Sequence, residues 1–133
     1  MMAKTTWIID DDIVSQFATR YCLEQSGNAL SIETFSNAEE AIAQLEVLLT
    51  VEQPLPELIF LDLIMDEMDG WEFIEHLRKL LNGNRLPKIY ILSAFVKSKD
   101  RKIAKTHSAV SGYFDKPLSR VSLSKVFASS SIN

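Results

Sequence analysis

The chain has 133 residues, 47% of them hydrophobic and 24% charged, with 4 glycines and 4 prolines, which suits one globular domain with a packed core and excludes disordered, fibrous and multidomain readings. No apolar run is longer than four residues and Cys22 is the single cysteine, so a membrane span, a secretory hydrophobic segment and a disulfide framework are excluded and a cytoplasmic protein is expected. The net charge of -4 hides an imbalance: residues 1–75 hold 16 acidic and 2 basic side chains, residues 76–133 hold 2 acidic and 12 basic, a pattern of either a basic binding arm or an acidic site with a separate partner face.

Lys4 to Ile9 is a short β-prone run that stops at Asp10, Asp11 and Asp12, after which Ile13, Phe17, Tyr21 and Leu23 recur at helical spacing up to Gly27-Asn28. Ala29 to Phe35 alternates as a second strand. Ser36 with Glu39 matches a capping box ahead of a helix whose apolar stripe is Ala38, Ala41, Ile42, Leu45 and Leu48 or Leu49. Pro54 and Pro56 break the chain before Leu58 to Leu61, an uninterrupted apolar run expected of a strand buried on both faces, and this run also ends on an aspartate, Asp62. A third helix opens at Asp69-Gly70-Trp71-Glu72, keeps Trp71, Ile74, Leu77 or Arg78, and Leu81 in phase, and stops at Asn82-Gly83-Asn84. Lys88 to Leu92 reads as a buried strand ending at Ser93. Residues 98–108 read as a polar, basic helix, 110–114 as a fifth strand, and Ser119 to Ser129 as a last helix after Pro117.

Five strands alternating with five helices predict an α/β fold with a doubly wound parallel sheet, in which ligands bind at the carboxyl ends of the strands. At those ends the sequence places Asp10 and Asp11, Asp62, Ser93 and Lys116, with Asp12 suited to capping the first helix. Three carboxylates in one place repel one another unless a cation sits among them, and a hard ion such as Mg²⁺, which takes a few carboxylate oxygens and keeps a position for phosphate, fits that need. A lysine and a hydroxyl beside them are suited to phosphoryl oxygens, and an aspartate can accept a phosphoryl group; Asp62 stands between the acidic pair and the Ser93/Lys116 pair. His76 and His107 lie in helical runs without metal-ligand spacing.

The segments Trp7-Ile8-Ile9-Asp10-Asp11-Asp12, Leu58 to Met65 followed by Met68-Asp69-Gly70, Ile91-Leu92-Ser93-Ala94 and Ser111 to Pro117 together resemble, in order and spacing, the receiver domain of two-component response regulators over essentially the whole chain. The resemblance implies a five-stranded flavodoxin-like sheet of order 2-1-3-4-5. It implies Asp62 as the phosphorylated residue, Asp11 as a direct Mg²⁺ ligand, Asp10 acting mainly through water, and the Ile64 backbone carbonyl as a further ligand. Ser93 and Lys116 would bond phosphoryl oxygens, the Lys116-Pro117 peptide would be cis, and Tyr113 would be the aromatic switch. Asp66 stands where the family usually has proline, which adds a carboxylate near the site and frees the loop backbone.

By the same resemblance, a histidine kinase or histidine phosphotransfer domain donates the phosphoryl group. A downstream protein would bind the face made by the fourth helix, fifth strand and fifth helix, where Lys97, Lys99, Arg101, Lys102 and Lys105 cluster. No direct nucleic-acid or membrane contact is expected, nor an enzyme beyond self-phosphotransfer and self-dephosphorylation. Residues 1–133 are expected to form a single receiver domain without an output domain, with the first and second helices on one side of the sheet and the fourth and fifth on the other. The alternatives are a Mg²⁺-dependent aspartyl-phosphate hydrolase, which needs a second acid where Ile64 stands, and a non-phosphorylated pseudo-receiver that only binds partners, which would have lost some of the acids, the hydroxyl or the lysine. In that family the residue two after the phosphorylated aspartate and the residue two after the hydroxyl position line the path of an attacking water; here they are the apolar Ile64 and Phe95, so the resemblance implies slow self-dephosphorylation.

Overall fold

Leu58–Leu61 carries no polar residue because neither of its faces meets water: all four side chains are buried, as the middle strand of a parallel sheet requires. A computed structural model describes residues 4–94 and 97–131, with side chains to Phe127. Around β3 (Leu58–Leu61) it places β1 (Lys4–Ile9), β2 (Leu30–Phe35), β4 (Lys88–Ser93) and β5 (Val110–Asp115) in one parallel sheet of order β2-β1-β3-β4-β5, the order the resemblance implied. The crossovers are α1 (Ile13–Glu24), α2 (Ala38–Thr50), α3 (Gly70–Leu81) and α4 (Ser98–Thr106), and α5 (Arg120–Ser131) follows the last strand. Among the described residues no helix is long and apolar enough to cross a membrane.

Strand alternation sorts the core into two layers. Trp7, Ile9, Ile59, Leu61, Ile89 and Ile91 pack with Ala38, Ala41 and Leu45 of α2 and Phe73, Ile74 and Leu77 of α3. Ile8, Leu58, Phe60, Tyr90 and Leu92 pack with Leu23 of α1 and Leu123 and Val126 of α5. The expected grouping of helices is therefore corrected: α1 shares its face with α5, and α2 shares the other with α3. The cause is crossover handedness. The β1-to-β2 connection moves one way along the sheet and the later ones move the other way, so right-handed crossovers put α1 and α2 on opposite faces.

Three local expectations also change. Ile13, Phe17 and Tyr21 do share one side of α1, but it is the solvent side, 64, 67 and 66% exposed, while Gln16, Thr19 and Leu23 face the sheet. The cap of α2 is Asn37, whose side chain accepts from Glu40 N at 2.8 Å, because the helix begins one residue later than expected, at Ala38; Ser36 Oγ instead accepts from Gln16 Nε2 at 3.3 Å. Helix α4 ends at Thr106, where His107 turns to extended backbone and its Nδ1 accepts from Ala109 N at 3.1 Å. Two helix starts fall where the sequence puts them: Asp12 caps α1, accepting from Val14 N at 3.0 Å, and Asp69, at the expected opening of α3, forms a reciprocal capping box with Glu72.

Candidate functional site

After β1, β3 and β5 the parallel ladder runs one residue past the strand, and these extra residues are Asp10, Asp62 and Lys116. Asp10 N donates to Phe35 O at 3.0 Å, Asp62 N to Ile9 O at 2.9 Å and Lys116 N to Ser93 O at 3.1 Å. Since Ile9 stands opposite Leu61 in the register, Asp10 and Asp62 emerge side by side at the carboxyl edge. Asp10, Asp62 and Ser93 are buried, at 2, 6 and 1% exposure, while Asp11 is exposed. The Lys116-Pro117 peptide is cis.

Lys116 Nζ lies between the two buried acids, 2.8 Å from Asp10 Oδ2 and 3.3 Å from Asp62 Oδ2. Their other oxygens are held by backbone: Asp10 Oδ1 accepts from Asp12 N at 2.9 Å and Asp62 Oδ1 from Ile64 N at 3.3 Å. Burial pushes the Asp62 carboxyl up to about 6, with the Lys116 charge opposing that shift and the Asp10 charge adding to it. Burial draws the Lys116 ammonium down, but hydrogen bonds and charge from Asp10 and Asp62 outweigh it and leave the ammonium above its ordinary value.

One lysine does not balance three carboxylates. One oxygen each from Asp10, Asp11 and Asp62 lies within 4.8 Å of the others, so the three could hold a metal ion, and an all-oxygen donor set suits a hard divalent cation. The site therefore fits the cation expected from the sequence. Asp66 and Glu67 add carboxylates beside it, lining with Asp11, Ser36, Asn37, Glu39 and Met65 a cleft of about 320 Å³.

Ser93 sits at the end of β4 with its hydroxyl donating to Ala94 O at 3.3 Å, unattached to either carboxylate. Tyr113 lies on β5 with Arg101 of α4 over its ring at 5.8 Å; its hydroxyl is buried without a hydrogen-bond partner among the described residues. Ile64 is 61% exposed at the mouth. Phe95, paired with Ile64 in the reading of water access, lies outside the described residues.

The structure adds residues that the sequence did not single out. Gly70 is required by close approach, since a Cβ there would sit 2.8 Å from the Asp62 carbonyl oxygen and 2.9 Å from Leu63 Cα. Its place after Asp69 in the quoted Met68-Asp69-Gly70 segment was the available signal. Gln16 Nε2 donates to the carbonyl of Asp10, and nothing in helical periodicity marks a polar residue at an inward position as a brace.

The response regulator receiver domain family model matches residues 6–128. An uncharacterised 14.6 kDa protein of Leptolyngbya boryana is 34% identical over 116 residues, covering 87% of this chain and 81% of that one. An uncharacterised response regulatory protein of Shewanella oneidensis is 32% identical over 91 residues, 68% of this chain and 34% of its own length, so the chain spans about a third of that relative. Among solved structures, a two-component response regulator from Cytophaga hutchinsonii superposes with a TM-score of 0.84 at 21% identity over 100% of both chains. The chemotaxis protein CheY4 of Vibrio cholerae superposes with a TM-score of 0.72 at 23% identity over 97% of this chain and 98% of that one. With the family model spanning nearly the full length, and a sheet order and acidic strand ends of the kind that family's resemblance implied, the chain belongs to the response regulator receiver domains of two-component signalling.

Proposed function

We propose that Asp62 accepts a phosphoryl group from a phosphohistidine on a histidine kinase or histidine phosphotransfer domain. The observation that carries this is the set of groups at one strand edge: a buried aspartate beside two further acids, with a lysine ammonium 3.3 Å from its carboxylate. In the transfer an Asp62 oxygen forms the bond to phosphorus as the P–N bond breaks, and its electron pair returns to the imidazole. Asp11 and Asp62, the Ile64 carbonyl, and Asp10 through water would hold Mg²⁺, which when bound offsets charge on the phosphoryl oxygens. Lys116 exchanges a carboxylate for a phosphoryl oxygen, and Ser93, whose hydroxyl among the described residues donates to the Ala94 carbonyl, donates to another. The chain's part is positioning and charge, as phosphoryl transfer asks.

Exposed Ile13, Val14, Phe17 and Tyr21 on α1, with Ile64 at the mouth, support docking of the donor protein on this side, since an apolar patch of that extent is unusual on a surface without a partner. Output goes to the α4-β5-α5 face. Phosphorylation adds roughly -1.5 to -2 charges by analogy with phosphoamino acids, and Tyr113, on β5 three residues before Lys116, lies under Arg101 of the basic α4. A hydrolase is disfavoured because exposed Ile64 offers no acid where one is needed, so the chain is a phosphoacceptor and not an enzyme acting on other substrates.

The test is transfer of labelled phosphate from a phosphorylated histidine phosphotransfer domain with Mg²⁺. Label should leave the histidine and appear on this chain, and Phe17→Glu with Tyr21→Glu should slow that transfer without slowing labelling by a small acyl phosphate. Label that stays on every histidine donor, while the small donor does modify Asp62, would make the donor class wrong.

A further inference from the structure

The inward face of an amphipathic helix ordinarily closes on its sheet with apolar side chains. Helix α1 does so at Leu23, which is fully buried, but one and two turns earlier the inward residues are Thr19 and Gln16, at 2 and 9% exposure. A buried amide persists only where its hydrogen bonds are met. Gln16 Nε2 donates to Asp10 O, and it lies 3.3 Å from Ser36 Oγ and 3.5 Å from Phe35 O. These oxygens belong to two segments: the acidic turn after β1, and the end of β2 with its link to α2. The Gln16 backbone N–H donates to Asp12 O at 2.9 Å, so one residue ties α1 to the acidic turn and the turn to the β2-α2 link.

Asp10 is consequently fixed at both ends. Its carboxylate is held by Lys116 and Asp12 N, and its carbonyl by Gln16. Asp11 is exposed and takes its place from the backbone of that turn. The β2-α2 link continues into Asn37 and Glu39, which face Asp66 and Glu67 across the cleft beside the acids. A methionine in place of Gln16 would fill the same space, so packing alone does not account for the amide.

We infer that Gln16 is a positioning residue for the phosphoacceptor site, a brace that sets where Asp10 and Asp11 stand and thereby the affinity of the acidic turn for a divalent cation. This rests on the phosphoacceptor reading above. Partners that orient metal ligands from behind commonly matter by about tenfold or more in metal affinity, and Gln16 acts on the backbone that carries two of the three acids.

The experiment is a calorimetric Mg²⁺ titration of the unphosphorylated full chain, comparing wild type with Gln16→Met, Leu23→Ala and Asp11→Ala. Gln16→Met should weaken Mg²⁺ binding about tenfold, whereas Leu23→Ala, which destabilises the same helix face away from the turn, should leave the affinity unchanged. Gln16→Met binding like wild type, or Leu23→Ala weakening binding as much, overturns the inference. If Asp11→Ala also binds like wild type, the metal site itself is misplaced and the phosphoacceptor reading falls with it. Should Gln16→Met not fold, the wild-type side-chain amide decides: the Gln16 NH₂ resonances should be protected from exchange and shift with Mg²⁺, while those of exposed Gln25 and Gln53 do not. Gln16 resonances that ignore Mg²⁺ overturn the assignment.

Discussion

The strand-edge site and helix α4 are held in opposite ways. Asp10, Asp62 and Lys116 are pinned by backbone hydrogen bonds that extend the sheet; the two carboxylates are buried, and the half-buried Lys116 side chain touches both. Helix α4 buries only Ala104 and is held by side chains reaching from both flanks. From α3, Trp71 Nε1 donates to Asp100 at 3.0 Å, the Trp71 ring stacks on His107 at 5.8 Å, and Glu75 lies 3.7 Å from His107 Nε2. From the β5 side, Arg101 on α4 pairs with Asp115 at 3.1 Å and covers Tyr113. A charge change at the first region meets groups that cannot move far, whereas the second can exchange contacts one at a time. Rigid chemistry and an adjustable surface are thus divided between the strand-end residues themselves and the helix that lies beside them.

The largest effect should come from breaking the rigid side. Lys116→Ala leaves two buried carboxylates unpaired and should cost about 3 kcal/mol at neutral pH, less in acid, where Asp62 takes up a proton; urea unfolding at both pH values checks this. Gly70→Ala pushes a methyl into the Asp62 carbonyl and Leu63 backbone and should cost about 2 kcal/mol, with weaker Mg²⁺ binding as the accompanying signature. Asp62→Asn should instead stabilise the metal-free protein by about 1 kcal/mol at neutral pH.

That gain has a defined pH course. The folded-state value of Asp62, about 6, exceeds its ordinary 3.8, so its contribution to stability is whole below about pH 4 and is lost as pH rises through about 6. Metal-free wild type should lose stability across that window and Asp62→Asn should not.

On the adjustable side the effects shrink. Trp71→Phe keeps the ring but loses the bond to Asp100, and should cost about 1 kcal/mol while speeding amide exchange in α4 more than in β3. Arg101→Ala removes an exposed pair, 51 and 65% accessible, and should cost no more than about 0.5 kcal/mol. If Trp71→Phe or Arg101→Ala destabilised as much as Lys116→Ala, the division between the two regions would be wrong.

The sheet was legible in the sequence where burial is total. Leu58–Leu61 is apolar throughout because both faces are covered, and the acids at Asp10 and Asp62 mark where the apolar strands give way to the polar carboxyl edge. Helix α1 was legible as a helix but not in its orientation, because Ile13, Phe17 and Tyr21 have the spacing of a core stripe while facing solvent. Periodicity identifies a face without saying what covers it. Gln16 was missed for the complementary reason: its worth lies in three oxygens from distant segments that only the fold brings together. The α3-α4 contacts of Trp71 with Asp100 and His107 were hidden in the same way, since Trp71 reads from sequence only as part of a helical stripe.

Phosphoryl transfer to Asp62 is tested by incubating the full chain with a small acyl phosphate and Mg²⁺, followed by intact-mass and site mapping of wild type and Asp62→Asn. Wild type should gain the mass of a single phosphoryl group, mapped to Asp62 and dependent on Mg²⁺, and Asp62→Asn should not. A wild-type chain that stays unmodified, or an Asp62→Asn variant labelled at the wild-type rate, would contradict that assignment.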